Sequence, residues 1–245
     1  MSSSTWTPRA VSSESDRWRG IVWRVVEAQH TAATMKLVDS AAEQDLLEAL
    51  LDGGKPAWPE DTLDLDYLLA TPFRYPPRAG GSRFRAEADP GVFYGAGSVR
   101  TACAELGYWR WRFLRDAPEL GRVEPVAHTA FRTQLDTRAV DLRATPFDRD
   151  DTIWRHPSDY GPCQHFARQC RQSALGAIVY ASVRDPLPGW CIAVLEPAAF
   201  ARPRPLAGNQ TWWLAVTPDE ATWRRRQQSL VVDMRRWRDD MEGSR

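Results

Sequence analysis

Between Phe73 and Leu114 the chain reads FRYPPRAGGSRFRAEADPGVFYGAGSVRTACAELGYWRWRFL. Arg74, Arg78, Arg83 and Arg85 set cationic side chains in a Pro/Gly-rich loop. A guanidinium suits phosphate because its planar fork binds two oxygens at once. Val92, Phe93 and Tyr94 form a short apolar run of strand type, which Gly95 and Gly97 break. Ser98 is a ready N-cap for a long helix carrying Glu105 in its second turn. An aromatic at a strand end and a carboxylate on the next helix would then lie close together beside arginines. Such a pocket suits a nucleotide-sized ligand with one reactive bond. The plainer reading is a solvated arginine loop and a surface glutamate.

The elements that must position these residues follow from pattern. Gly20 to Val26 is a β-type run with Arg24 in its middle, where it must find a partner or enter a polar cleft. Leu37 to Leu51 has helical spacing and ends at Gly53-Gly54. Leu63 to Leu69 is a second short helical segment. The helix from Val99 to Arg115 bears an apolar stripe of Val99, Ala102, Cys103, Leu106, Phe113 and Leu114, with Glu105 on its shoulder. Glu124 to Leu135 reads as a strand, and Thr137 to Leu142 as a shorter one. Residues 143–160 read as a surface loop, and Cys163 to Ser173 as a helix. Gly176 to Ser182 and Gly189 to Leu195 are core strands, and Trp212 to Val216 is a last strand. Thr217-Pro218-Asp219-Glu220 opens a helix running to about Arg238, by its cap, proline and acids. Strands and helices mix without a βαβ rhythm, so the fold class is α+β.

Composition excludes several functions. Lysine plus arginine and aspartate plus glutamate are both 32, which argues against the electrostatic footprint of a nucleic-acid binder. A hydrophobic fraction of 43% supports a real core. There is no run of 18 apolar residues to span a membrane, and the N-terminus lacks a signal-peptide pattern. Cys103, Cys163, Cys170 and Cys191 show no zinc-binding spacing and are expected as free thiols in a reducing cytoplasm. No P-loop, GxGxxG, GxSxG or HExxH is present.

Four segments, in order, resemble the RES-domain family of bacterial toxins. VWRVV with Arg24 is similar to its opening strand, and GGSRF with Arg83 to its glycine–arginine–aromatic motif. PGVFYGAGSVRTACAE, with Tyr94 and Glu105 eleven apart, is similar to its strand-then-helix unit. GAIVYASVRD resembles the strand that ends in the family serine, Ser182. The resemblance runs from Gly20 to Pro197. The Pro-Leu-Pro-Gly-Trp-Cys stretch after the serine departs from the turn found in many members.

The resemblance implies a central β-sheet like that of ADP-ribosyltransferases, with flanking helices and NAD as substrate. Expected boundaries are a flexible N-terminal arm at 1–19, the RES domain at 20–200, and a C-terminal extension at 201–245 with a helix packed on or beside it. Glu105, Arg24, Tyr94 and Ser182 are then the catalytic candidates. Arg24, Arg83, Tyr94, Ser182, Arg74 and Arg85 are the candidates for binding NAD, and Tyr75 ranks with the last two. No metal or cofactor is implied; phosphate is a candidate co-substrate. The implied activity is cleavage of the nicotinamide–ribose bond by hydrolysis or phosphorolysis. Alternatives are protein mono-ADP-ribosylation and, in another class, a non-catalytic NAD-binding or regulatory module. The implied partner is a helix-turn-helix antitoxin of Xre type, with Trp212, Trp213, Trp223 and Trp237 as candidate docking residues. No direct nucleic-acid or membrane contact is expected, and a homodimer stays open.

Overall fold

The computed structural model describes residues 6–28, 40, 43, 54–77 and 79–237. The helix expected at Leu37 to Leu51 and the side chain of Arg78 lie outside these residues. The architecture is α+β, with an eight-stranded sheet. Strand β1 is Asp16–Glu27, β2 Phe93–Ala96, β3 Val123–Asp141, β4 Ala177–Ala181, β5 Trp190–Val194, β6 Leu206–Val216, β7 Glu220–Arg225 and β8 Gln228–Asp233. The helices that matter here are α1 Pro8–Ser13, α2 Tyr67–Arg74, α3 Val99–Asp116 and α4 Gly161–Gln172. None of the described helices is long and apolar enough to cross a membrane.

The strand order is β1-β2-β5-β4-β3-β6-β7-β8, and β3 also pairs with β1. Five strands therefore close on themselves, and β6 to β8 continue from the outer edge of β3. The β1–β3 ladder is long, from Asp16 opposite Ala139 to Glu27 opposite His128. By contrast, β1 meets β2 at one position only, Trp23 opposite Ala96. Beyond it the two strands leave each other's backbone groups unpaired. One face of the sheet packs against α3 and α4, through Cys103, Tyr108, Trp111, Phe166 and Ile178 among others. The other holds a smaller cluster of Val22, Phe93, Phe131, Leu135, Val179, Ile192 and Phe200, with Leu69 of α2.

Ser98 caps α3 as expected, its hydroxyl accepting from the Thr101 amide at 3.1 Å. Gly97 precedes the cap because a Cβ there would stand 2.2 Å from the Trp190 indole. The buried face of α3 differs from the expected stripe. It centres on Ala104, Gly107, Tyr108 and Trp111, while Phe113 is 46% exposed. The reason lies at the other end of the chain: Ala221 and Trp223 of β7 pack on Gly107.

The chain ends depart furthest from expectation. Within the arm assigned to 1–19, residues 6–19 are folded. Trp6 and Val11 are buried, Trp6 stacks against Phe147, and β1 starts at Asp16. The helix expected after Thr217 is the β7–β8 hairpin. Its capping chemistry is real, since Thr217 Oγ1 accepts from the Asp219 and Glu220 amides. Those bonds close a turn instead, and alternation of buried Ala221 and Trp223 with exposed residues then favours a strand. The expected strands at Glu124 to Leu135 and Thr137 to Leu142 are one continuous β3. The 143–160 loop contains a one-turn helix, Asp151–Trp154, and buries Phe147 and Trp154.

Candidate active site

Where β1 and β2 part, a cavity of about 240 Å³ opens. It is lined by Arg24 of β1, Tyr94 of β2, Glu105 of α3, and Arg83 and Tyr160 from the connecting segments. Arg184, from the turn after β4, completes its charged groups. Among the described residues Glu105 is the one carboxylate lining it, against three arginines. The shoulder position of Glu105 on α3 thus faces a cleft.

Ser182 closes the end of β4 and donates to Glu105 Oε1 at 2.6 Å. The same hydroxyl accepts from the Asp185 amide at 3.1 Å, so both its donor and acceptor sides are used and its rotamer is held. Cys191, on the neighbouring β5, reaches Glu105 Oε1 at 3.7 Å. Burial and the carboxylate push the Cys191 thiol well above its usual range, so it is a neutral neighbour. Asp185 in turn pairs with Arg100 on α3. The turn from Ser182 to Asp185 is therefore tied to α3 at two places, one of which is Glu105.

Arg24 fills the gap between β1 and β2. Its Nη1 donates to the Tyr94 carbonyl at 2.7 Å, a group the missing β1–β2 ladder would leave orphaned. Its guanidinium lies over the Phe93 ring, 4.7 Å from the centroid. Its Nε is buried without a partner. Burial pulls its pKa down to about 10, so it remains a cation at neutral pH. Arg83 is buried; its Nη1 donates to the carbonyls of Trp154 and His156 at 2.7 and 2.9 Å, and its plane covers Tyr160. The Tyr94 hydroxyl contacts Ser82 Oγ at 2.8 Å and accepts from the Phe84 amide at 3.0 Å. Those bonds pin the GGSRF loop to β2, and burial raises the phenol's pKa. The Tyr94 ring is left to line the cavity.

Arg24 also borders a second cavity, of about 310 Å³, with Tyr67, Tyr75, Thr71 and Arg85. Arg85 is engaged there, donating to the Asp89 and Tyr75 carbonyls. Arg74 lines neither cavity. It donates to the Pro56 carbonyl at 2.6 Å and stacks on Trp58. The structure thus brings together Arg24, Arg83, Tyr94, Glu105 and Ser182, sets Arg85 next door, and places Arg74 elsewhere. The expectations for residues 143–160 and after Ser182 missed Tyr160 and Arg184. Tyr160 sat in a stretch read as loop. Arg184 lies two residues past Ser182, in the quoted GAIVYASVRD, with no pattern to mark it as inward-facing.

The site is thus a strand-gap cavity in an α+β domain, with one braced carboxylate among arginines of the described residues. The RES domain model matches residues 57–217, and the chain belongs to the RES-domain family. The β1 strand with Arg24 lies before the matched residues. No curated protein matches. Among solved structures, the M. tuberculosis MbcT–MbcA toxin–antitoxin complex is similar at 13% identity and a TM-score of 0.45. That alignment covers 83% of this chain and 87% of the other.

Proposed function

We propose that this protein is the toxin of a toxin–antitoxin pair and degrades NAD by cleaving its nicotinamide–ribose bond. The observation that carries this reading is Glu105, braced by Ser182 in a cavity whose other charged groups are all cationic. Family membership supports the toxin role.

The chemistry follows from the groups present. NAD carries a negative pyrophosphate and a pyridinium bonded to C1′ of a ribose. As that C–N bond breaks, its electron pair neutralises the departing nicotinamide and the ribose gains oxocarbenium character. A carboxylate beside C1′ stabilises that cation and orients the attacking water or phosphate, which forms the new C1′–O bond, an attacking water releasing its proton to solvent. Glu105 supplies it, and Ser182 sets its direction. Arg24, at the boundary of the two cavities, holds the pyrophosphate with Arg83, and Tyr94 shapes the nicotinamide slot. The first cavity alone falls below the range of about 300–1,000 Å³ typical of ligand sites and the second only reaches its lower end; together they lie well within it. Arg85 and Tyr75 in the second cavity then meet the other half of the substrate.

The partner in this reading is an Xre-type antitoxin that blocks the cavity with an anionic segment offered to the arginines. Of the four candidate docking tryptophans, Trp212, Trp223 and Trp237 are buried, which leaves Trp213, 50% exposed on β6. The test is purified protein incubated with NAD, with and without phosphate, followed by product chromatography. ADP-ribose marks hydrolysis, ADP-ribose-1″-phosphate marks phosphorolysis, and a labelled protein marks transfer. Unchanged NAD in every condition refutes the proposal.

A further inference from the structure

We propose that Arg184 is an anion-binding residue of this cavity and that the C-terminal segment Met234–Trp237 completes the site by holding it in place. Three observations converge on Arg184. It is 2% exposed, yet its Nη1 has no hydrogen-bond partner and it lines the cavity. Among the described residues, no carboxylate pairs with it. Its Nη2 donates to the Pro157 carbonyl and to the Tyr160 hydroxyl at 3.2 Å, both neutral. A buried guanidinium is costly unless an opposite charge answers it. Among the described residues the three arginines outnumber the single Glu105, so the cavity lining carries an excess positive charge that an anionic ligand would balance.

What keeps Arg184 there is aromatic and comes from two directions. Tyr108 of α3 lies 3.7 Å from the guanidinium carbon, and the Trp237 ring lies 4.5 Å from it. Rings on the guanidinium faces leave its edge, where the N–H groups are, free to point at a ligand. Arg236 adds a backbone tie, its Nη2 donating to the Arg184 carbonyl at 2.6 Å. Trp237 also packs on Tyr108 at 5.5 Å, which joins the segment to the helix bearing Glu105. The C-terminal segment lies beyond the residues that the family model matches. Arg184 binds the anion; Trp237 is a positioning residue that touches no ligand.

The phosphate chemistry proposed here deepens the NAD reading, and the experiment separates the two. Inorganic pyrophosphate and NAD are titrated calorimetrically into the wild-type protein and into Arg184→Gln, Arg184→Lys, Trp237→Ala and Trp237→Phe. Arg184→Gln is expected to weaken pyrophosphate binding at least 10-fold, with Arg184→Lys in between because it keeps charge but not the fork. Trp237→Ala is expected to weaken it several-fold, and Trp237→Phe to restore most of that loss, since a ring again covers the guanidinium. If Arg184→Gln does not fold, Arg184→Lys and the Trp237 pair carry the test. Pyrophosphate affinity unchanged in the folded variants, or no pyrophosphate binding by the wild-type protein, overturns the inference. Arginine-dependent pyrophosphate binding without any NAD cleavage upholds it and refutes the NAD reading instead.

Discussion

Glu105→Gln separates chemistry from architecture most cleanly. The amide is isosteric, and its oxygen can still accept from Ser182 where the carboxylate now does at 2.6 Å. What is lost is the negative charge. A hydrogen bond to a charged group contributes about 1.5–3 kcal/mol and a neutral one about 0.5–1.5, so the stability cost is about 1 kcal/mol. In a chain of this size that lowers the melting midpoint by roughly 2–4 °C. The catalytic cost is larger. Removing one preorganised electrostatic contact to the developing charge slows turnover by about 10²–10³-fold, or about 2.7–4 kcal/mol. The KM for NAD should change little, because the arginines that hold the pyrophosphate are untouched. The assay is initial-rate release of nicotinamide by chromatography, alongside a thermal melt. A folded Glu105→Gln protein that turns over NAD within about tenfold of wild type would remove Glu105 from the mechanism.

Further outcomes follow from individual contacts. Arg24→Lys should raise the dissociation constant for NAD, and Arg24→Ala should weaken binding by about 1.5–3 kcal/mol and also lower stability, since the Tyr94 carbonyl loses its donor; unchanged calorimetric affinity in both would make Arg24 structural. Ser182→Ala frees Glu105 from its brace and should lower kcat by about tenfold or more, a loss on the order of one hydrogen bond, and a kcat equal to wild type would show that the brace is dispensable. Gly97→Ala drives a methyl into the Trp190 indole and should cost about 1–3 kcal/mol in urea unfolding, whereas an unaltered midpoint would mean that the ring swings away without cost. Buried His128, edge-on to Trp223, has its pKa lowered from 6.5 by burial. It binds its proton less well folded than unfolded, so the stability it allows is full above about pH 6.5 and falls as pH drops through the lowered folded value. His128→Phe should therefore lose less stability than wild type between pH 7 and pH 5, and parallel pH profiles would refute that assignment.

Much of this protein was legible in local pattern. Ser98, Gly97 and the apolar run before them specify a strand, a turn and a helix start by nearest-neighbour physics alone. The spacing of Tyr94 and Glu105 rides on that unit, and the strand ending at Ser182 is marked by its unbroken apolar run. Other features depend on contacts between distant parts of the chain. The residues after Thr217 carry a helix-start signature, yet the outer edge of β6 offers its backbone groups, and strand pairing there overrides local propensity. Thr7 and Pro8 start the short helix that holds Val11, but its placement depends on Phe147 and Phe166, which form a surface for Trp6. Arg184 is the sharpest case. An arginine two residues past a strand end reads as solvated, and only the meeting of α3 with the C-terminal segment turns it inward, because the rings that enclose it lie 76 residues before it and 53 after it in sequence.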